Sequence, residues 1–346
     1  MAAEPAAPNG ARRVTIADVA REAGVSKATV SRALNSPGAV GAATRSHVLD
    51  VVARLGFAPN LNARSLTTGR TQVIGVVVSD IQVPFFTSVA RAVQNAAHAR
   101  GYLTLVGNSD ELPANEDALI RAFASRMVDG LIVTPAAGAN AALVEVARHI
   151  PVVVVDRIIE GGVGACIVSD NYAGALNATR HLLGLGHRSI AYLSSPLDKS
   201  SAVERYRGYR AGLEEAGVPF RPELLRVGDY HADAVEGSAA ELLRSFAPTA
   251  ALTSEASITV GALRAAQAVG LRVPDDLSLL GFDDLDWASP SLTVVLQDTE
   301  RLGAEAMARL LRLLDGDADT PASDVIRVPT RLMVRASCAP PPASRP

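Results

Sequence analysis

Lys27, Ala28, Thr29, Ser31 and Arg32 stand close together on a stretch whose apolar residues Val25, Val30 and Leu34 recur at helical spacing. Once that apolar set is assigned to a buried seam, the five are the side chains left facing outward. Lysine and arginine can donate to guanine O6 and N7. A small alanine can touch a thymine methyl, and the hydroxyls can meet phosphate or base edges. This is the chemistry of a helix laid in the major groove of DNA. The competing reading is a helical hairpin with an ordinary solvated basic face.

The elements that must position these side chains are also visible. Ile16, Val19, Ala20 and Ala23 define a first short helix, with Thr15 and Ser26 at the N-cap positions of the first and second. Each hydroxyl can accept an orphan backbone N–H, and Asp18, three residues after Thr15, adds a capping box. Gly24 takes the turn between the helices, where positive φ costs glycine little. Cap, turn, seam and basic face in one window match a helix-turn-helix, whose second helix presents its N-terminal residues to the bases. Ser36-Pro37-Gly38 then breaks the chain, and Thr44 to Leu55 is predicted as a third helix with Val48, Val51, Val52 and Leu55 on one face. Beyond Pro59, an Asn60-capped segment ending near Leu66 has under two turns. Helices that short rarely hold alone in water, which makes this a candidate order–disorder element.

A chain of 346 residues is too long for that headpiece alone. Residues 1–70 carry nine Lys or Arg against four acids, a formal +5, whereas the whole chain is −3, leaving −8 for the remainder. Positive charge is concentrated where DNA would sit, and an acidic body resists non-specific attachment. Cys166 and Cys338 are the only cysteines, with no metal-ligand spacing around them, so neither a disulfide framework nor a metal site is expected. The absence of a secretion signal, and of any run approaching about 18 apolar residues, leads to the expectation of a soluble, cytoplasmic protein without membrane partners.

From Val73 the pattern changes. β-branched runs at Val73–Val78, Tyr102–Val106, Gly130–Val133, Val152–Val155, Ile190–Leu193, Ala250–Leu252 and Leu277–Leu280 alternate with helical stretches. Such alternation predicts parallel sheets covered by helices on both faces, and about 265 residues suffice for two lobes.

The headpiece, the Pro59-Asn60 to Leu66 segment and the Arg70-Thr71 junction resemble the lactose-repressor (LacI/GalR) family of bacterial transcription regulators. Further matches are Pro84-Phe85-Phe86, Val128-Asp129-Gly130, Val155-Asp156-Arg157, Asp170-Asn171 with Gly174, Leu185-Gly186-His187-Arg188, Arg205 with Gly208-Tyr209, Gly281-Phe282-Asp283-Asp284, and Leu292-Thr293 followed by Gln297. Their order makes the resemblance specific, and it covers the chain from about Thr15 to Arg335.

The resemblance implies an all-α helix-turn-helix headpiece followed by an α/β, two-lobed core like the periplasmic binding proteins, crossed three times by the chain. The expected divisions are a disordered tail at 1–12, a headpiece at 13–58, a hinge helix at 59–71, a core at 72–338 and a disordered tail at 339–346. Within the core, the N-lobe would comprise about 72–168 and 299–326, and the C-lobe about 169–296 and 327–338. The DNA-binding residues expected are Thr15, Ser26, Lys27, Ala28, Thr29, Ser31, Arg32 and Asn35, with Asn60, Ala63 and Leu66 in the hinge. Leu66 would wedge into the minor groove at the centre of a palindromic operator bound by a homodimer. The effector-binding residues expected are Ser79, Phe86, Asp156, Arg205, Asp283, Trp287 and Gln297, which suit a sugar or nucleoside-like ligand.

The chain departs from the family where Glu255-Ala256 replaces a common Asn-Asp, Val83 a common Asn, and Gly41 a common capping serine. No phosphate loop, GxSxG elbow or HExxH is present, and Gly161–Gly164 lacks the strand-then-helix setting of a dinucleotide fingerprint. Adjacent Asp283 and Asp284 at a strand end should point apart rather than act as a hydrolytic pair. No catalytic residue, metal or cofactor is therefore expected. A solute-binding transport component would share the body but not the headpiece.

Overall fold

The computed structural model describes residues 14–35, 38–57, 70–125, 128–136, 141–159, 162–228, 232–285, 288, 291–317 and 324–342. The expected disordered tail at 1–12, the hinge residues Asn60, Ala63 and Leu66, and Trp287 lie outside them. The chain forms two compact units, residues 1–71 and 72–346.

The first unit holds α1 (Ile16–Glu22), α2 (Lys27–Asn35) and α3 (Ala42–Leu55). Val19, Ala20, Ala23, Val30, Ala33, Val48 and Val51 make its buried core, with Val25, Leu34, Val52 and Leu55 packed around them. The Thr15 hydroxyl and amide both donate to the Asp18 carboxylate (2.7 and 3.0 Å), and the Asp18 amide donates back to Thr15 Oγ1. The predicted capping box is thus formed. Gly24 adopts φ +65° at the turn. Ser26 Oγ accepts from the Thr29 amide at 3.1 Å and starts α2. The third helix begins two residues before the predicted Thr44, at Ala42, with Gly41 as a cap lacking a side-chain bond.

The second unit runs β1 (Val73–Val78), α4 (Pro84–His98), β2 (Leu103–Asn108), α5 (Pro113–Ser125), β3 (Gly130–Val133), α6 (Ala141–Val146), β4 (Val152–Val155) and β5 (Ala165–Ser169). It continues through α7 (Asn171–Gly184), β6 (Ile190–Ser194), α8 (Ser200–Glu215), β7 (Leu225–Val227), α9 (Ala232–Phe246), β8 (Ala250–Thr253), α10 (Ala256–Ala268), β9 (Ser278–Phe282) and β10 (Thr293–Leu296). It ends with α11 (Thr299–Leu314), β11 (Val325–Val328) and β12 (Arg331–Met333). Two six-stranded sheets result, ordered β11-β5-β4-β3-β1-β2 and β12-β10-β9-β8-β6-β7. All pairings are parallel except β10 with β12. The two orders repeat one topology, and the chain passes between sheets after β5, after β10 and after β11.

Strand composition follows from double coverage. Along β1, Ile74, Val76 and Val78 join the cluster under α4 and α11, whereas Val77 joins the one under α5 and α6. A period of two with both sides apolar is what a sheet covered on both faces requires. The β5, β7, β10, β11 and β12 strands were not foreseen; β7, β11 and β12 contain arginine. The expected lobe boundary at 326/327 falls inside β11, whose pairing with β5 holds the chain in the N-lobe sheet through Val328. The tail expected to be disordered from 339 is instead tied down at its start. The Ala339 amide donates to Ser278 Oγ (3.0 Å), and its carbonyl accepts from that hydroxyl (2.9 Å) beside the His187 ring (2.8 Å).

Helices α7 and α8 approach closely because Gly208 has no side chain. A Cβ there would lie 2.3 Å from the Tyr172 carbonyl oxygen, a backbone atom that cannot swing away. Gly208→Ala should therefore destabilise the core by about 1–3 kcal/mol through overpacking. The check is urea unfolding, where an unchanged midpoint would mean that the helices separate freely.

Candidate functional site

On the headpiece, Val30 and Ala33 point into the core, so the opposite face of α2 carries the exposed Lys27, Ala28 and Arg32 and the partly exposed Thr29 and Ser31. Two contacts lie along that face, the Ser26 hydroxyl on Thr29 (2.8 Å) and the Arg32 Nε on the Ala28 carbonyl (3.3 Å), while an exposed Arg54–Glu22 pair (3.0 Å) joins α3 to α1. Asn35 closes α2. Thr15 and Ser26 remain exposed while capping. The predicted reading residues thus share one solvent-facing helix surface.

In the second unit a cavity between the sheets is lined by Phe86, Asp156, Arg205, Asp283 and Gln297 among others. Asp156 follows β4 and Asp283 follows β9, each at the carboxyl edge of its sheet. Their amides extend the ladders, donating to the Ile167 and Val295 carbonyls at 3.0 Å each. Their backbones then turn to φ +73° and +65°, a left-handed conformation that aspartate tolerates better than most residues. The two carboxylates therefore enter the cleft from topologically equivalent points of the two lobes.

Arg205, on α8, donates from Nε to Asn171 Oδ1 (2.7 Å) and from NH1 to the Ser254 carbonyl, with its guanidinium 4.2 Å over the Phe282 ring. Gln297 donates to Asp283 Oδ1 at 2.8 Å. Among the described residues, its Oε1, the Ser195 hydroxyl and the Arg157 Nε are buried without a hydrogen-bond partner. Phe86 packs edge-on against Phe85 at 5.2 Å, and both belong to the buried core while lining the cavity. Ser79 is held away from the cavity: it is fully buried, and its hydroxyl donates to the Thr134 carbonyl at 2.9 Å.

Sequence reasoning missed Glu111, Arg157, Lys199, Ser195 and Glu255 as lining residues. Arg157 and Glu255 lay inside stretches already singled out. Glu111 and Lys199 had no local signal, because their partners are distant in sequence. Glu111 receives Arg157 bidentately (2.6 and 3.1 Å) and Lys199 at 3.1 Å. Burial pushes the Glu111 carboxyl up, but Arg157 and then Lys199 outweigh it and hold it below its ordinary value. Burial raises Asp156, and it pushes Asp283 up to about 6 with help from the charges of Asp156 and Glu255, against Arg205 and Gln297.

Among the described residues, no group of His, Cys, Asp and Glu could hold a metal ion, and no helix is long and apolar enough to cross a membrane. A groove-reading headpiece joined to a two-lobed, ligand-binding type of core defines the class of ligand-responsive DNA-binding regulators. Residues 15–60 match the model for bacterial regulatory proteins of the lacI family, and residues 179–338 match a periplasmic binding protein-like domain. The HTH-type transcriptional regulator DegA of Bacillus subtilis (strain 168) is 33% identical over 335 residues, 95% of this chain and 99% of its own length. The HTH-type transcriptional repressor PurR of Yersinia pestis (strain Pestoides F) is 33% identical over 332 residues, 94% of this chain and 97% of its own. A crystal structure of the Lac repressor dimer bound to operator and the anti-inducer ONPF superposes with a TM-score of 0.84 at 29% identity, covering 95% of this chain and 100% of that one. The chain belongs to the LacI family of DNA-binding transcription regulators.

The raised Asp283 pKa has a definite sign. A folded-state value of about 6, above the ordinary 3.8, means that the folded protein holds this proton more tightly. The stability it contributes is present below the unfolded value and is lost as pH rises through about 6. Asp283→Asn keeps the acceptor for Gln297 and removes the buried charge. Its Tm should exceed that of the wild type at pH 8, with the gap closing toward pH 4, as followed by thermal melts. An equal gap at both pH values would contradict the assignment.

Proposed function

We propose that the protein is a non-catalytic, cytoplasmic repressor that binds a palindromic operator as a homodimer and is switched by a small, hydroxyl-rich effector in the interlobe cleft. The observation that carries the effector reading is the convergence of Asp156 and Asp283 on one cavity where, among the described residues, three buried polar atoms lack a hydrogen-bond partner: Arg157 Nε, Ser195 Oγ and Gln297 Oε1. Buried polar groups normally have partners, and a polar ligand would supply them.

A dimer is supported by the exposed apolar residues on equivalent edge strands of the two sheets. Leu103, Leu105 and Val106 lie on β2, and Val227 on β7. Bare edges of this kind are normally covered or charged. A dimer also suits a headpiece with one reading helix, because two copies read two half-sites. Asn60, Ala63 and Leu66 would then form the paired hinge, with Leu66 unstacking the central base step.

Selection from a random duplex library at moderate salt tests the reading. It should return a palindrome, whose affinity changes when the effector is added. Lys27→Ala and Arg32→Ala should each weaken operator binding by about 10–100-fold, the loss expected for a base contact worth about 1–3 kcal/mol, with unchanged Tm because both side chains are exposed. Leu66→Ala should weaken operator binding while effector binding persists. Wild-type operator affinity in all three variants would remove the headpiece and hinge from the mechanism.

A further inference from the structure

The two compact units divide between Thr71 and Gln72. Gln72, the first residue of the core, sits at φ +57°. A left-handed backbone is uncommon for residues other than glycine, and where one persists its surroundings hold it there. Here a hydrogen bond holds each side of the residue. The Gln72 amide donates to Asp129 Oδ2 at 2.9 Å, and its carbonyl accepts from the Leu103 amide at 2.9 Å. An ionised carboxylate is a stronger acceptor for a backbone N–H than a neutral group.

Asp129 is itself fixed. Its amide donates to the Val73 carbonyl at 2.8 Å, and the Leu131 amide donates to the Pro151 carbonyl at 3.0 Å, so the start of β3 is tied to β1 and to β4. Gly130 between them is closely packed: a Cβ there would lie 2.8 Å from Leu310 Cδ1 and 3.1 Å from the Pro151 carbonyl oxygen. Gln72 is thereby pinned to the amino ends of β2 and β3, at the edge of the sheet opposite Asp156. Asp129 has a further interaction besides this bond, and so do Arg70 and Thr71.

A covalent junction passes on the position and direction of the residue at which it leaves the core. If Gln72 turned freely, each headpiece of a dimer would sample many directions, and the second half-site would be met at a lower effective concentration. A fixed Gln72 narrows that sampling.

We propose that Asp129 is a positioning residue for operator recognition: through the Gln72 amide it fixes the direction in which the chain leaves the core, and so the half-site spacing that a dimer accepts. This rests on the reading of a dimer on a palindrome and goes beyond it by naming the residue that sets the spacing.

The experiment titrates full-length protein, at constant moderate salt, with duplexes carrying one selected half-site, or two at the selected spacing and at spacings altered by one or two base pairs. Wild type should bind the selected spacing at least about tenfold more tightly than the altered ones. Asp129→Ala deletes the acceptor and should lose about tenfold at the selected spacing, the scale of freeing one residue's backbone, with single half-site affinity unchanged. Gln72→Pro removes the same bond from the donor side, leaves the Asp129 side chain in place, and should reproduce that loss. Asp129→Asn keeps an acceptor oxygen, and Gln72→Gly keeps the donor and permits the left-handed backbone, so both should retain the wild-type spacing preference. Thermal melts and sedimentation identify the variants that are folded and dimeric; should Asp129→Ala fail to fold, Gln72→Pro carries the test.

A spacing preference that survives in folded Asp129→Ala and in Gln72→Pro would overturn the proposal. So would a loss that extends equally to the single half-site, a loss in Gln72→Pro that folded Asp129→Ala does not share, or a loss in Asp129→Asn as large as that in Asp129→Ala. Wild type that gains nothing from a second half-site would refute the palindromic dimer and this proposal with it, whereas a wild-type spacing preference untouched by the variants refutes the proposal alone.

Discussion

Both faces of each parallel sheet are covered by helices, and this constraint governs the rest of the core. Buried strands can carry little but apolar side chains, as the Val, Ile and Leu of β1, β3 and β4 do. Polar chemistry is therefore pushed to the strand ends, where α/β proteins bind ligands. At two equivalent ends the chain makes one more ladder hydrogen bond and turns left-handed, directing Asp156 and Asp283 into the space between lobes. Much of what surrounds them compensates that buried negative charge: Arg205 over Phe282, Gln297 against Asp283, and Arg157 near Asp156.

The lobes are joined by three short crossings and a few polar contacts. Asp170, at the first crossing, donates its amide to the Val328 carbonyl at the third, so these two strands of the hinge move together. Ser200 Oγ accepts from the Ile158 amide at 2.7 Å, and Arg327 meets Glu204 at 2.7 Å. The Arg327–Glu204 pair is partly exposed and worth little on its own. The Glu111 bridge is better buried, and losing one partner would leave an uncompensated charge. Two lobes held by so few contacts can be shifted by a modest difference in ligand affinity between arrangements. That is the physical requirement for coupling the cleft to DNA binding.

The headpiece was legible because its determinants are local. Thr15 with Asp18, Gly24 and the helical spacing of the apolar residues within each helix, such as Val48, Val51, Val52 and Leu55, each act within a few residues. The buried strands with uninterrupted apolar runs, such as Val152–Val155, were legible for the same reason. The edge strands β7, β11 and β12 were not, since a three- or four-residue segment containing arginine becomes a strand only when a neighbouring strand offers its ladder.

The sequence by itself determined the class of the protein, the solvent-facing side of α2, and the placement of Asp156, Arg205, Asp283 and Gln297 at one cleft. Family register carries positions, and helical and strand periodicity carries faces. Only the tertiary structure decided that Ser79 is consumed by Thr134, that Ala339 is anchored against Ser278, and that Glu111 bridges Arg157 and Lys199. These interactions join residues 46 or more positions apart, at loop ends. No local pattern encodes which distant loop a side chain will meet; that is fixed when the two sheets pack and their carboxyl edges face each other.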